Sequence, residues 1–338
     1  MCDVCGAEEP KEEPAEPVID TNLAFNGINL SLDSALSMNW QFASSLVAGA
    51  TDYYVVFTKA EGNGLTEPLV ITVGKEDMQP VTVDGQARYQ VAFDKIAACE
   101  MGEAIVAKLY VEKDGVLYTC REQGFTYSVS MYCASQINTY NGKTTDKAIK
   151  TMRLMVECLN YGAAAQERFS YKTDALVNTI VTAEMQEKYG LGEISYAFDG
   201  AQDKSTGSAA TFAGFSLNLE ERIKYIIKYS IGSEDVADLT AVIKKADGTI
   251  VQVIEGTDLV LNGSVYEIHI TVIDAPQLRD NYIVALHKGY VDESNTGTVI
   301  SHTMTISVED YVASATATDK AVTVAALKYG DAAAAYFA

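Results

Sequence analysis

The chain has 338 residues, of which 48% are hydrophobic, and its formal net charge is −21 at pH 7. That length suffices for two domains with separate cores, and that apolar content excludes a largely disordered chain. Phosphate backbones and anionic lipids repel so acidic a protein, so we expect no nucleic-acid partner and no direct membrane insertion. No segment approaches the roughly 18 consecutive apolar residues that indicate a membrane-spanning helix.

Residues 1–20 differ in composition from the rest of the chain. Cys2 and Cys5 form a C-x-x-C pair, which is half of a four-ligand zinc site, and the string EEPKEEPAEP follows. We predict an acidic, disordered tail here. Because the tail lacks the basic start and apolar run of a secretion signal, it indicates either a cytosolic protein or a fragment of a longer one.

Residues 21–174 are predicted to form module 1, which is mostly β-structure. The strings YYVVF, LVITV, YQVAF, AIVAKLYV and VLYTC are rich in β-branched and aromatic residues, so they predict strands. Asp-Gly pairs at 84–85 and 114–115 predict tight hairpin turns, because both residue types tolerate positive φ. Short strands at this spacing favour an Ig-like antiparallel β-sandwich.

A closing helix is predicted at the end of module 1. Thr145 or Asp146 is a suitable N-cap, and the helix is expected to continue to Phe169. The alanines near its end permit close approach to a neighbouring surface. A linker at 175–210 follows, and its first half has helical character. The apolar residues at helical spacing are Ile149, Met152, Met155, Val156, Leu159 and Ala163.

Residues 211–338 are predicted to form module 2, which repeats module 1. Its predicted strands are LTAVIKK, TIVQVI, VYEIHITVI and YIVALHKGYV. Matching strings recur in the same order in both modules, which indicates an internal duplication. The matched strings are FNGINLSL and FAGFSLNL, DYYVVFTKAEG and DLTAVIKKADG, ARYQVAFD and SVYEIHIT, SVSMY and SVEDY, TDKAIK and TDKAVT, and LNYGAAAQERF and LKYGDAAAAYF.

Four of the six cysteines lie in module 1, and module 2 has none. Because all four cysteines are missing together from module 2, we hypothesise that they form disulfides in module 1. The hypothesis pairs Cys133 with Cys158 and Cys99 with Cys120. Four cysteines allow three connectivities, and buried free thiols are the alternative. Disulfides would indicate an oxidising compartment. The matching positions of module 2 hold Pro276, Val299, Val312 and Ala326.

Several of these strings resemble a known kind of module. YGAAAQ followed by Phe, then SYKTDALVN, looks like the closing segment of modules in very large surface proteins of gut Firmicutes (Clostridia). FAGFSLNLEERIKYIIKY is similar to their opening strands, and CDVCGAEEP to the end of the cysteine-rich repeats that often precede them. The resemblance implies a secreted or cell-surface segment of a larger protein. The resemblance implies no catalytic residues for this chain.

The sequence has no recognisable catalytic motif. The three histidines, His269, His287 and His302, lie in or next to strand-like runs of module 2, so we interpret them as structural. Acidic residues in Gly- and Ser-containing loops could ligate a structural Ca²⁺, with plain solvated loops as the alternative. These residues are Asp199, Asp203, Asp292 and Glu293.

Aromatic residues are the candidate ligand-binding groups. Trp40, the only tryptophan, shares a predicted strand face with Met38 and Phe42, so core packing is favoured over a sugar-binding platform. Tyr53 and Tyr54 are adjacent on a strand, so one ring should be exposed.

Three functional hypotheses remain. The first is a non-enzymatic extracellular segment that acts in adhesion or as a spacer, with a glycan or a surface protein as partner and no cofactor. The second is a carbohydrate-binding accessory module, which an exposed coplanar aromatic pair would support and a buried Trp40 would weaken. The third is an enzyme with a polar cleft between the modules that contains carboxylates of shifted pKa.

Overall fold

A computed structural model of the chain describes residues 16–32, 36–197, 200–219 and 223–338. Within these residues module 1 contains ten strands. In chain order they are β1 (Val18–Ile19), β2 (Gly27–Leu32), β3 (Leu36–Ala43), β4 (Asp52–Lys59), β5 (Leu69–Gly74), β6 (Gln79–Val83), β7 (Gln86–Phe93), β8 (Ile105–Lys113), β9 (Val116–Thr119) and β10 (Phe125–Tyr127).

The strands of module 1 form two facing sheets. The larger has the order β1-β9-β8-β4-β5, with β10 also paired to β8, and the smaller has the order β2-β3-β7-β6. All pairs are antiparallel except that of β1 with β9. Alternate residues of each strand point into the space between the sheets, where Trp40 packs on Phe57 and Phe57 on Phe93. The predicted sandwich is therefore confirmed.

Module 2 contains ten further strands in the described residues. They are β11 (Gln202–Asp203), β12 (Ala210–Leu219), β13 (Ile223–Ile231), β14 (Leu239–Lys245), β15 (Ile250–Glu255), β16 (Val260–Asn262), β17 (Val265–Ile270), β18 (Tyr282–Lys288), β19 (Thr298–Val299) and β20 (Thr303–Ile306). Their sheets have the orders β11-β20-β18-β14-β15, with β19 paired to β18, and β12-β13-β17-β16. The smaller sheets of the two modules therefore have the same strand order, which agrees with the duplication.

The predicted hairpins of module 1 are present. Val83 pairs with Gln86 and Lys113 with Val116, so each Asp-Gly dipeptide is a two-residue loop. Asp84 and Asp114 have φ values of 51° and 52°, and the glycines that follow have 74° and 75°. Positive φ at both positions matches the right-handed twist of the flanking strands.

Each module ends in two helices rather than the one predicted. The helices are α1 (Val129–Tyr140), α2 (Asp146–Phe169), α3 (Ala183–Tyr189) in the linker, α4 (Val308–Ser314) and α5 (Ala317–Phe337). Thr145 caps α2 as predicted, since its side chain accepts a hydrogen bond from the Ala148 amide. In module 2 the cap is Thr316, and the TDKAVT string already lies inside α5.

The predicted disulfides are absent from the structure. All four cysteines of module 1 are buried free thiols. Cys133 lies beside Cys158, and the pKa of Cys133 is raised by a hydrogen bond between the two thiols and by burial. Val312 and Ala326 are equally buried at the matching positions of module 2, so these sites require small apolar groups. The cysteines affected are Cys99, Cys120, Cys133 and Cys158, and Cys2 and Cys5 lie outside the described residues.

The sheets extend beyond the predicted module boundaries. Val18 and Ile19 pair with β9, so module 1 begins before residue 21. Gln202 and Asp203 pair with β20, so module 2 begins inside the predicted linker. Strands β1 and β11 have two residues each, which is too short to show the alternating pattern that identifies a strand in the sequence. Their shortness explains both differences.

Candidate functional site

The structure separates the predicted aromatic residues. Trp40 has no exposed surface and lies in the core, as its strand face predicted. Tyr53 faces inward and packs on Tyr89, with ring centroids 5.7 Å apart. Tyr54 lies on the outer face of the larger sheet, directly opposite Tyr110. These three side chains therefore do not form one site.

The Tyr54 and Tyr110 rings stack on each other. Their centroids are 5.0 Å apart and their planes differ by 11°. Parallel rings at that distance overlap face to face instead of lying edge to edge in one flat surface. Each ring consequently has one face covered by the other. The pair does not provide the flat platform that stacking on a sugar requires.

The histidines are held by hydrogen bonds. His269 Nε2 lies 3.1 Å from Glu267 Oε2, His287 Nδ1 lies 2.7 Å from the Thr296 carbonyl, and His302 bonds to Gln202. Burial lowers the pKa of His287. These contacts agree with a structural interpretation.

Two of the loop carboxylates predicted as Ca²⁺ ligands accept hydrogen bonds from residues of their own loops. Asp203 accepts hydrogen bonds from Ser205, and Asp292 from Ser294, so each carboxylate stabilises its own turn. The described residues contain no cluster of three or more His, Cys, Asp or Glu that could hold a metal ion. Asp199 lies outside the described residues, and Glu293 is exposed.

The two modules meet through the duplicated closing helices. Tyr161 of α2 stacks on Tyr329 of α5, with centroids 5.6 Å apart, planes within 15° and both side chains buried. These are the tyrosines of the LNYG and LKYG strings, so equivalent residues of the repeat contact each other. Arg168 near the end of α2 bonds Asp319 near the start of α5, so the helices run antiparallel. The interface has the pattern of an approximate two-fold axis.

The glycine of each string faces the helix's own sandwich. A Cβ on Gly162 would lie 2.7 Å from Met101 Sδ, and a Cβ on Gly330 would lie 2.8 Å from the Ala275 carbonyl oxygen. Met101 directly follows the short 3-10 helix that precedes β8, and Ala275 begins the one that precedes β18. In each string, therefore, the tyrosine contacts the other module and the glycine allows close packing on its own module.

The linker after α3 is held between these helices. Glu157 of α2 accepts a hydrogen bond from the Leu191 amide, and Lys328 of α5 donates to the Leu191 carbonyl at 3.1 Å. Arg279 donates to the Ser195 carbonyl at 3.1 Å. We call the Glu157–Leu191–Lys328 contacts the Leu191 clamp. It holds both backbone groups of one linker residue with one side chain from each module.

A cavity of about 320 Å³ with both polar and apolar lining residues lies beside the Leu191 clamp. Its lining includes Asn160, whose side-chain amide donates to Gln186 at 2.9 Å and accepts from Asn178 at 3.2 Å. The amides of α2, α3 and the preceding linker therefore mostly satisfy one another. This network attaches the linker to module 1.

A second cavity at the module boundary has a different lining, and we call it the junction cleft. It has a volume of about 220 Å³ and lies between the end of α2, strand β12 and the helices of module 2. The Arg168 guanidinium and the Asp319 carboxylate form an ion pair of 2.5 Å in its wall. Phe169 and Tyr311 supply aromatic rings, and leucines of β12 supply an apolar wall.

The carboxylates at the boundary have opposite pKa shifts. Burial raises the pKa of Glu157, although the Leu191 amide partly offsets this effect. Hydrogen bonds from Thr316 and Arg168 lower the pKa of Asp319. Positions 157 and 168 of α2 are eleven residues, about 16 Å, apart along the helix axis, and Asp319 contacts the latter. Glu157 lines the cavity beside the Leu191 clamp and Asp319 lines the junction cleft, so the two carboxylates belong to different cavities.

The sequence did not single out the junction cleft. Arg168 and Asp319 are ordinary surface residue types, and their contact joins distant parts of the chain. One signal was available, because the closing strings place Tyr336 opposite Arg168 and so break the repeat there. Extended along the helix without a gap, that alignment places Thr151 opposite Asp319, whereas the TDKAIK and TDKAVT strings place Asp146 there.

No family model and no curated protein matches the chain. Among solved structures, it is similar at 12% identity and a TM-score of 0.19 to Astrotactin-2, a vertebrate perforin-like membrane protein, over 78% of this chain and 47% of that one. A Bifidobacterium dentium beta-glucuronidase gives the same identity and TM-score, over 80% of this chain and 39% of that one. The chain thus spans less than half of either protein, and likeness this weak carries no argument about fold or function.

Proposed function

We propose that the chain is a non-enzymatic, extracellular tandem β-sandwich segment of a bacterial surface protein that acts in adhesion or as a spacer. The observation that supports this most is the pairing of α2 with α5 through the Tyr161–Tyr329 stack. A pair of modules joined only by a flexible linker would change its orientation freely. Modules joined by packed helices and a clamped linker keep one orientation, which a spacer or adhesive arm requires.

The described residues contain no helix long and apolar enough to cross a membrane. Other features are consistent with the proposed role, and one of them is the acidity of the chain. The histidines are engaged in hydrogen bonds within module 2, and the two carboxylates of shifted pKa at the module boundary line different cavities. The resemblance to repeated modules of Firmicutes surface proteins leads to the same proposal.

Surface digestion of intact cells tests the proposed location. Cells of the encoding organism are treated briefly with trypsin, and the released peptides are identified by mass spectrometry, with a cytosolic enzyme as the lysis control. We expect peptides of this chain, from a polypeptide larger than the chain itself, in the released fraction. Peptides found only after lysis would contradict the proposal.

A carbohydrate-binding accessory module is the second candidate. The positions first considered for it, Trp40, Tyr53 and Tyr54, do not form a platform. The junction cleft is the feature that keeps this candidate open, because it combines aromatic rings with a charged hydrogen-bonding pair. A glycan partner is compatible with adhesion, so the two candidates do not exclude each other.

A further inference from the structure

We propose that the junction cleft, which both modules build, binds one neutral sugar ring. This inference rests on the proposed adhesive function and names the ligand class for it. The cleft exists only while α2 and α5 are paired, because Arg168 and Phe169 come from module 1, whereas Tyr311 and Asp319 come from module 2. The pairing of the modules would then create a recognition site as well as a fixed orientation.

The polar wall of the cleft offers donors and acceptors at fixed positions. Arg168 donates its Nε–H to Asp319, and in the described part of the chain its two Nη groups have no further hydrogen-bond partner. Thr316 donates its hydroxyl to the other Asp319 oxygen at 2.8 Å. A carboxylate oxygen can accept about two hydrogen bonds. Each Asp319 oxygen accepts one from Arg168 or Thr316, so both can accept another. Neighbouring hydroxyl groups of a sugar, each a donor and an acceptor, fit such a guanidinium–carboxylate pair.

The remaining walls suit the apolar face of a pyranose. Phe169 and Tyr311 are both half-buried at the cleft, and Leu217 and Leu219 lie beside them. Sugar rings present C–H groups on one face and hydroxyl groups around the edge, so a site for them needs both kinds of wall. The volume of about 220 Å³ is below the range of about 300–1000 Å³ for drug-sized ligands, which restricts the site to one ring.

The charges of the cleft favour a neutral ligand. Arg168 and Asp319 neutralise each other at 2.5 Å. An anionic sugar would have to compete with Asp319 for the guanidinium and approach a chain of net charge −21. A neutral ring can bond to both members of the pair without separating them.

The two-fold related position shows that helix pairing does not require this ion pair. There Tyr336 replaces Arg168 and Thr151 replaces Asp319. Thr151 directs its hydroxyl to the Lys147 carbonyl of its own helix, and the Tyr336 ring packs edge-on against Phe337. The polar pair is therefore a property of one cleft alone. The residues at the related position also provide substitutions that these helices already accommodate.

Ligand-observed NMR by saturation transfer tests the inference on the full chain. The probes are the methyl glycosides of glucose, galactose, mannose and N-acetylglucosamine, and glycerol is the control for nonspecific polyol contact. We expect at least one glycoside to bind, with an affinity at least tenfold lower in Asp319→Thr and in Arg168→Tyr. Tyr54→Ala is the matched control, because it alters the stacked pair outside the cleft, and it should bind as the native chain does.

Three outcomes would overturn the inference. They are no signal from any glycoside, equal signals from glycerol, and binding that survives both cleft substitutions. In the third case, binding that is lost only in Tyr54→Ala would place the site on the outer face of the sheet instead. Circular dichroism establishes that each variant is folded. If the chain is released from intact cells but binds no glycoside, the proposed surface role stands and only the sugar site is refuted.

Discussion

The buried carboxylate of the Leu191 clamp makes stability depend on pH in a specific direction. Burial raises the pKa of Glu157 above its ordinary value of 4.5. A carboxyl with a raised folded-state pKa binds its proton more tightly in the native chain than in the unfolded one. Its contribution is therefore complete below about pH 4.5 and is lost as the pH rises through the folded-state pKa. Each unit of the shift corresponds to about 1.4 kcal/mol.

Two substitutions at Glu157 separate its charge from its hydrogen bond. Glu157→Gln keeps an oxygen that accepts from the Leu191 amide and removes the charge, so this variant should gain stability relative to the native chain as the pH rises above about 4.5. Glu157→Ala leaves that amide without its acceptor and should cost about 1–3 kcal/mol below about pH 4.5. This cost should decrease as the pH rises, because the substitution also removes the titrating carboxyl.

Urea denaturation at a series of pH values measures both effects. Taking the difference between variant and native chain cancels the contribution of the other titrating groups. A difference between Glu157→Gln and the native chain that stays constant, or changes in the opposite direction, would refute the interpretation of the clamp.

Three further predictions concern the core and the interface. Tyr161→Ala and Tyr329→Ala should each reduce the free energy of unfolding by about 3–5 kcal/mol, and their double-mutant cycle should give a coupling of about 0.5–1.5 kcal/mol; zero coupling would contradict the stack. Lys59 and Glu100 form a buried ion pair of 2.6 Å, so Lys59→Met should cost about 3–5 kcal/mol. The matched control is Lys245→Met, because its partly exposed pair should contribute at most about 1 kcal/mol, and equal losses in the two would oppose this view. The four buried cysteines should resist alkylation in the native chain but react after unfolding without reductant, and a requirement for reductant would instead indicate disulfides.

The strands could be predicted because their signal is local. The string LTAVIKK corresponds to β14 residue for residue, and Asp-Gly pairs mark the two-residue loops. Helices α1 and α4 escaped prediction because each is short and follows directly on a strand, so no long apolar stripe marks it. The TDKAVT string does not mark the start of α5, because Thr316 caps that helix and the string lies inside it.

The module interface was only partly predictable. The alanines indicated close approach to some surface, but the sequence could not say that the surface is the matching helix of the other module. That choice depends on the three-dimensional position of Tyr161 relative to Tyr329, which are joined by no local pattern. The disulfide hypothesis failed for a related reason. Missing cysteines suggest missing bridges, yet Val312 and Ala326 fill the same buried positions as ordinary apolar residues.

The central claim is that α2 and α5 hold the two modules in one orientation. Electron–electron distance measurement tests it most directly, with spin labels on Thr72→Cys in β5 and Val253→Cys in β15, both exposed positions. Cys2 and Cys5 are replaced by serine to keep the labelling specific. The account predicts one narrow distance distribution that broadens when Tyr161 and Tyr329 are both changed to alanine. A broad distribution in the otherwise native chain would contradict it.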